Sequence, residues 1–265
     1  MTSKCFQQCL NLPRVYQNLH LAIPHEDMWR IEFMKRVYLQ YFPHTFHLQA
    51  DKCSCVWINK FKRLKTLIIY RCTDLQRLSP FANLQSLTLR KCKNITSAFF
   101  TILKDFNALR ILDLECCTLS CYDLSMLEQI SCIQLCNIDT TAILQIPSSL
   151  THFAFNSAGV IPNFADCMNL KRLDLTNSNE VSDETLSSLL HCKKIEILQI
   201  GGFTDVTSEG LRHVFTLNNL KSIEINEELK IDLELMMKEQ NRTFDIVVYE
   251  NENNGHYEES VEEED

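Results

Sequence analysis

The nine residues Leu109-Arg-Ile-Leu112-Asp-Leu114-Glu-Cys-Cys117 set a frame, L-x-x-L-x-L-x-x-C/N, that recurs along the chain and constrains its fold more than any other feature. Copies begin at Leu64, Leu84, Leu109, Ile130, Leu150, Leu170, Ile195 and Leu220, in steps of 20, 25, 21, 20, 20, 25 and 25 residues. The last two aliphatic places of each copy are separated by one residue, the alternation of a strand with one face in a core. Leu67 with Ile69, Leu87 with Leu89, Leu112 with Leu114, Leu173 with Leu175, Leu198 with Ile200 and Ile223 with Ile225 are these inward pairs. Ile133 with Leu135 and Phe153 with Phe155 supply weaker copies. A unit this short cannot bury its apolar face alone, so the copies must stack into one continuous core.

The segments between strands change period. Ile95–Leu103, Val181–Leu190 and Val206–Phe215 place apolar residues three and four apart behind a Ser or Thr able to cap a helix. The repeats from Leu64, Ile130 and Leu150 are shorter, and Pro80 and Pro147 would interrupt a helix, so loops or single turns are expected there. Strand-opened repeats of 20 to 29 residues are leucine-rich repeats. The expected fold is therefore an α/β leucine-rich-repeat solenoid, a horseshoe with a concave parallel sheet, convex helices and loops, and a disordered acidic C-terminal tail.

The register divides the chain into an N-terminal helical or degenerate-repeat cap (1–42), a repeat domain with a C-terminal cap (43–249) and a tail (250–265). Pro43-His-Thr-Phe46-His-Leu48 and Tyr16-Gln-Asn-Leu19-His-Leu21 read as degraded copies, and Met28 to Leu39 has helical spacing. Leu229 to Gln240 reads as a final helix, and Thr243 to Tyr249 as a last strand covering the open end of the core.

Of the formal charge of −8, the tail accounts for all, since residues 250–265 hold eight acids and no Lys or Arg, leaving 26 acids against 26 bases. Such a tail has the composition of a solvated disordered segment. A neutral body argues against nucleic acid or a membrane surface as partner. Among thirteen cysteines, Cys72, Cys92 and Cys117 recur at the ninth place of the repeat, where a small polar side chain meets backbone of the adjacent coil. Cys53-Ser-Cys55, Cys116-Cys117-x3-Cys121 and Cys132-x3-Cys136 lack zinc-ligand spacing, so free thiols and no metal are expected. An odd cysteine count and no long apolar run point to a reduced cytoplasmic or nuclear setting without a membrane span, and the sequons at Asn94 and Asn241 to chance.

No catalytic or phosphate-binding motif is present, His20, His44 and His47 have no ligand spacing, and no cofactor or enzymatic activity is expected. Gly201-Gly202 reads as a place where a strand leaves its register beside a neighbour. Function then falls to the outward places of the frame. These are Tyr70, Arg71, Arg90, Lys91, Asp113, Glu115, Gln134, Asn137, His152, Asn156, Arg172, Asp174, Gln199, Glu224 and Asn226. Along the stack a basic and aromatic start gives way to acidic residues, a segregation that would orient a complementary protein. Tyr70 and Arg90 are the preferred anchors, because Tyr and Arg are enriched among binding hot spots.

The stretches Leu84-Gln-Ser-Leu-Thr-Leu-Arg-Lys-Cys-Lys-Asn-Ile-Thr96 and Leu170-Lys-Arg-Leu-Asp-Leu-Thr-Asn-Ser-Asn-Glu-Val-Ser-Asp183 resemble the cysteine-containing repeats of F-box leucine-rich-repeat proteins. The resemblance implies a repeat domain that selects a protein substrate for a ubiquitin ligase containing Skp1 and a cullin. The chain departs from that family in residues 1–42. Leu12-Pro13-Arg14-Val15 resembles the opening of an F-box, but Tyr16 to Leu21 reads as the strand that follows one. Either the box is divergent or it lies upstream. The alternative reading is an interaction scaffold or assembly factor outside the ligase.

Overall fold

The computed structural model describes residues 47–51, 55–59, 61–120, 123–138, 144–178, 180–202 and 204–249. The helix expected at 28–39, the copy at 16–21 and the tail at 250–265 lie outside them. Strand β1 (His47–Asp51) is followed by a single turn, α1 (Cys55–Ile58), and then by β2 (Thr66–Tyr70) and β3 (Ser86–Arg90). Helix α2 (Ser97–Leu103), β4 (Ile111–Glu115), β5 (Cys132–Cys136), β6 (His152–Asn156) and β7 (Arg172–Asp174) come next. They lead into β8 (Val181–Ser182), α3 (Asp183–Ser188), β9 (Ile197–Gln199), β10 (Thr204–Asp205) and α4 (Ser208–Val214). The last elements are β11 (Ser222–Ile225), α5 (Glu227–Gln240) and β12 (Asp245–Val248).

Ten strands form one sheet in the order β1-β2-β3-β4-β5-β6-β7-β9-β11-β12, and each neighbouring pair is parallel. Register follows the frame: Leu67 lies beside Leu87, Leu87 beside Leu112, and Leu112 beside Ile133. Leu64, Leu84, Leu109, Ile130, Leu150 and Leu170, which open their copies, are fully buried with the inward pairs. A second apolar column stands three residues before each opening aliphatic: Phe61, Phe81, Phe106, Leu127, Cys167, Cys192 and Leu217, all buried. The carbonyls of Phe106, Leu127 and Cys167 accept from the opening N–H at 2.8, 2.9 and 3.0 Å, closing the turn that feeds each strand. Phe81 and Phe106 meet edge to face at 5.8 Å, so this column also packs repeat on repeat.

The convex helices stand where the 3.6-residue period placed them, at α2, α3 and α4. The Leu64 repeat makes only a 3-10 turn over Leu75–Arg77, and the Leu150 repeat forms no helix. The last helix and strand are present as α5 and β12, which closes this end of the sheet against β11. One register differs from expectation. Leu48 pairs with Leu67 and Ala50 with Ile69, so the first copy runs 19 residues before the Leu64 copy and not from Pro43. Ala50, fully buried, takes an inward place that a large-aliphatic frame overlooks.

In six of the eight copies the eighth place has a positive φ, Gly202 among them. Arg71, Lys91, Cys116, Asn137 and Asn177 have φ of 51, 53, 52, 52 and 61°. From that conformation the N–H of Arg71, Lys91, Cys116, Asn137 and Asn177 donates to the seventh-place carbonyl of the next repeat, at 2.8 to 3.0 Å. The ninth place points inward and donates the other way. Cys92 Sγ approaches the Ile69 carbonyl at 3.7 Å, Cys117 Sγ the Leu89 carbonyl at 3.3 Å, and Ser178 Oγ donates to the Phe155 carbonyl. Where Ile138 occupies that place, its N–H donates to Ser157 Oγ at 2.8 Å, so the next coil supplies the polar atom.

Gly201 sits beneath the ring of Tyr249, and a Cβ there would lie 2.4 Å from the Tyr249 Cβ. Tyr249 OH donates to Asn177 Oδ1 at 2.6 Å, so the last residue of the cap lies across the Gly-Gly pair and reaches three coils back. Gly202, at φ +100°, also holds a conformation that a side chain would strain.

Two substitutions of opposite sign test this construction. Gly201→Ala is expected to lower the unfolding free energy by roughly 1–3 kcal/mol in urea, as overpacking does, and Tyr249→Gly, which removes the Cβ as well as the ring, should remove most of that loss in the double mutant. Lys91→Asn should raise it by a few tenths to about 1 kcal/mol, because Asn tolerates the left-handed region better than Lys.

Candidate functional site

A strand exposes every second residue, so the outward face of the sheet is three columns deep. The first holds Thr66, Ser86, Ile111, Cys132, His152, Arg172, Ile197 and Ser222; the second holds Ile68, Thr88, Asp113, Gln134, Ala154, Asp174, Gln199 and Glu224. The third continues the strand ends as Tyr70, Arg90, Glu115, Cys136 and Asn156. Tyr70, Arg90, Asp113, Glu115, Gln134, His152, Arg172 and Asp174 therefore stand on the concave face, as the frame implies.

Arg71 and Lys91 do not. Seventh and eighth residues of a strand cannot share a face, and the left-handed turn carries both side chains past the strand end onto the rim. Arg71 there forms a two-point ion pair with Asp51, Nε to Oδ1 at 2.9 Å and Nη2 to Oδ2. Asn137 occupies the same rim.

One group converges. Arg90 Nη1 donates to Tyr70 OH at 3.3 Å, and its Cζ lies 5.7 Å from the centre of the Tyr70 ring. On the other side Arg90 Nε is 2.7 Å from Glu115 Oε2, close as an ion pair though poorly aligned as a hydrogen bond. Burial works against the Arg90 charge, but Glu115, Tyr70 and Asp113 outweigh it and hold the guanidinium more firmly protonated. Asp113, one strand position away, is half-buried. Burial raises its carboxyl above the ordinary value and Glu115 adds to the rise, while Arg90 and a hydrogen bond from Thr88 oppose it.

A second group lies across β7, β9 and β11. Arg172 Nη2 donates to Gln199 Oε1 at 2.6 Å, and Gln199 Nε2 donates to Glu224 Oε2 at 2.6 Å. Three strand spacings, roughly 14 Å, separate β4 from β7, so the two groups are distinct. Between them stand Gln134 and His152, whose Nδ1 lies 2.8 Å from Thr151 Oγ1. Two of these charges are paired between neighbouring strands. Arg90 is matched by Glu115, which parallel register sets at the same place, and Arg71, one residue past its strand end, by Asp51, whose register partner is Tyr70.

The concave face is also less polar than the polar residues alone suggest. Ile111 is 42% exposed in the first column, and Ile68, Cys132, Cys136 and Ala154 are partly exposed beside the polar cluster. The alternation that picks out Asp113 equally picks out Ile111, so these residues were legible once apolar side chains were allowed to face outward. Burial pushes the thiols of Cys132 and Cys136 upward, with the neighbouring acidic groups adding to it.

The described cysteines form no disulfide among themselves. Cys167 is pushed up to about 12 and Cys192 to about 11, in both by burial in the column before the strand. Among the described residues one set of possible ligands is gathered: Cys55, Cys72 and Asp74, with their ligand atoms all within 4.8 Å of one another. No helix among them is long and apolar enough to cross a membrane.

No protein-family model matches the chain, and no curated protein sequence matches it. Among solved structures, the crystal structure of the leucine-rich repeat domain of APL1B is similar with a TM-score of 0.50 at 14% identity, over 85% of this chain and 66% of that one. Internalin C2 from Listeria monocytogenes is similar with a TM-score of 0.44 at 18% identity, over 81% of this chain and 84% of that one. The chain thus spans just under two thirds of the first of these. At such identities the likeness speaks for the fold alone, and with the ten-stranded parallel sheet it establishes that this chain is a leucine-rich-repeat solenoid.

Proposed function

We propose that the chain is a protein-recognition module that holds its partner on the concave sheet, and that it serves as the substrate-recognition subunit of a ubiquitin ligase of the Skp1-cullin-F-box type. The observation that carries the first part is the cluster of Tyr70, Arg90, Glu115 and Asp113. It combines an aromatic ring, a guanidinium held by that ring and a carboxylate, and a second carboxyl whose charge burial disfavours. Residues that weaken a fold while facing its open surface are commonly kept for binding. Exposed Ile111 and half-exposed Ile68 supply apolar contact beside the cluster, the composition of an interface centre inside a polar rim. The ligase reading rests on the resemblance of the cysteine-containing repeats to those of F-box leucine-rich-repeat proteins.

Asp113 gives a test of the trade between stability and binding. A carboxyl whose folded value is raised binds its proton more tightly in the native than in the unfolded state, so stability falls as pH rises from the ordinary carboxylate range through the raised value. Asp113→Asn should therefore be more stable than the parent at neutral pH. The difference should vanish well below the ordinary carboxylate range, as followed by urea unfolding across pH.

Recovery of Skp1 and a cullin with the tagged chain is the expected result if the ligase reading holds. Loss of both, with the chain folded, would leave a recognition scaffold outside the ligase. Reversing charge at Arg90 and Lys91 together should cut recovery of a cross-linked partner by about tenfold or more, the scale of a hot-spot loss. Unchanged recovery with an intact circular dichroism spectrum would remove this cluster from the interface.

A further inference from the structure

We propose that Cys55, Cys72 and Asp74 form a binding site for a thiophilic divalent cation of the zinc class. Cys55 opens α1, Cys72 holds the ninth place of the Leu64 repeat, and Asp74 precedes the 3-10 turn Leu75–Arg77. The site therefore stands inside the return segments and away from the concave columns, and it is independent of the recognition surface.

The geometry is that of three corners of a tetrahedron. Zinc binds thiolate sulfur at about 2.3 Å and carboxylate oxygen at about 2.0–2.2 Å, which sets edges of about 3.8 Å between sulfurs and about 3.5 Å between sulfur and oxygen. Here Cys55 Sγ and Cys72 Sγ are 3.5 Å apart, and Cys72 Sγ is 3.2 Å from Asp74 Oδ1. These two edges need to open by only about 0.3 Å to admit the ion at tetrahedral bond lengths, and the third, from Cys55 Sγ to the Asp74 carboxylate, is within 4.8 Å. The carboxylate is already aimed, since Asp74 Oδ1 accepts the backbone N–H of Cys55 at 3.2 Å. Such an outer hydrogen bond orients a ligand before the metal arrives.

The carboxylate beside its two sulfurs separates this group from the other buried thiols. Both cysteines are at most 2% exposed, while Asp74 is only partly buried and leaves a path for the ion. Cys92 and Cys117 stand in the same ninth-place column, but their sulfurs are directed at the carbonyls of Ile69, Arg90, Leu89 and Glu115. Two sulfurs and one oxygen select a borderline-soft ion over magnesium or calcium, which take oxygen ligands. The balance is Zn²⁺ plus two thiols and one carboxylate giving a dithiolate carboxylate complex and two protons. Among the described residues three ligands are gathered, one fewer than a tetrahedral site takes.

Cobalt(II) added to the reduced, chelator-stripped full chain reads the site directly. A one-to-one titration with a thiolate-to-cobalt charge-transfer band and the visible bands of tetrahedral cobalt is expected, reversed by zinc. The charge-transfer band should be lost in Cys55→Ser and in Cys72→Ser, and kept in Cys92→Ala and Cys117→Ala. Asp74→Asn should retain the fold and lower cobalt affinity by at least about tenfold, the smaller effect known for groups that only orient ligands. Zinc should also raise the unfolding midpoint of the parent and leave that of Cys72→Ser unchanged. Absence of the band in the folded parent overturns the proposal, as does a band that survives both serine variants. If the serine variants do not fold, an unchanged cobalt affinity in Asp74→Asn overturns it.

Discussion

The aliphatic triad of each coil cannot be covered by its own coil alone, and the rest of the structure follows from that lack. Leu84, Leu87 and Leu89 are flanked by Leu64, Leu67 and Ile69 on one side and by Leu109, Leu112 and Leu114 on the other. Each such residue is worth roughly 1.5–3 kcal/mol when fully buried, and burial is complete only when both neighbours dock. Cooperativity must therefore run along the stack, with same-place residues kept in parallel register over ten strands.

Holding that register takes polar atoms as well as apolar ones. The left-handed eighth residue turns its N–H forward to the next coil, while the ninth residue turns a sulfur or oxygen back to the preceding one. The two bonds run in opposite directions from adjacent residues, so a coil is tied at both faces by one turn. This explains why the ninth place accepts Cys or Ser, whose short side chains reach a backbone carbonyl without leaving the core. It also explains the rim position of Arg71 and Lys91: the conformation that ties the coils carries their side chains off the sheet.

Much of this was legible in the chain. The frame gives the strands, the inward pairs and the ninth-place thiols, and the change of period gives α2, α3, α4 and α5, because each rests on a local pattern. What escaped is set by contacts between coils. The register of β1 depends on Ala50 lying against Ile69, which a search for large aliphatics passes over. The closeness of Gly201 and Tyr249 joins residues 48 apart, and no local pattern reports it. On the concave face, a polarity list finds Arg90 and Glu115 but not that parallel register sets them side by side as an ion pair.

Cysteine shows the same limit most clearly. One residue type serves as carbonyl donor at the ninth place in Cys92 and Cys117 and in the column before the strand in Cys167 and Cys192, as left-handed turn residue at Cys116 and as partly exposed thiol at Cys132 and Cys136. Ligand motifs are sought at spacings of two to five residues because a turn or hairpin brings such residues together. A solenoid brings together residues one coil apart. Cys55 and Cys72, 17 residues apart in sequence, touch at 3.5 Å, whereas Cys116 and Cys117 are adjacent in the chain but point to opposite sides of it, one at the rim and one in the core. In a chain of this architecture, the spacing that carries chemistry is the pitch of the repeat, and a short-range motif search looks along the wrong direction of the molecule.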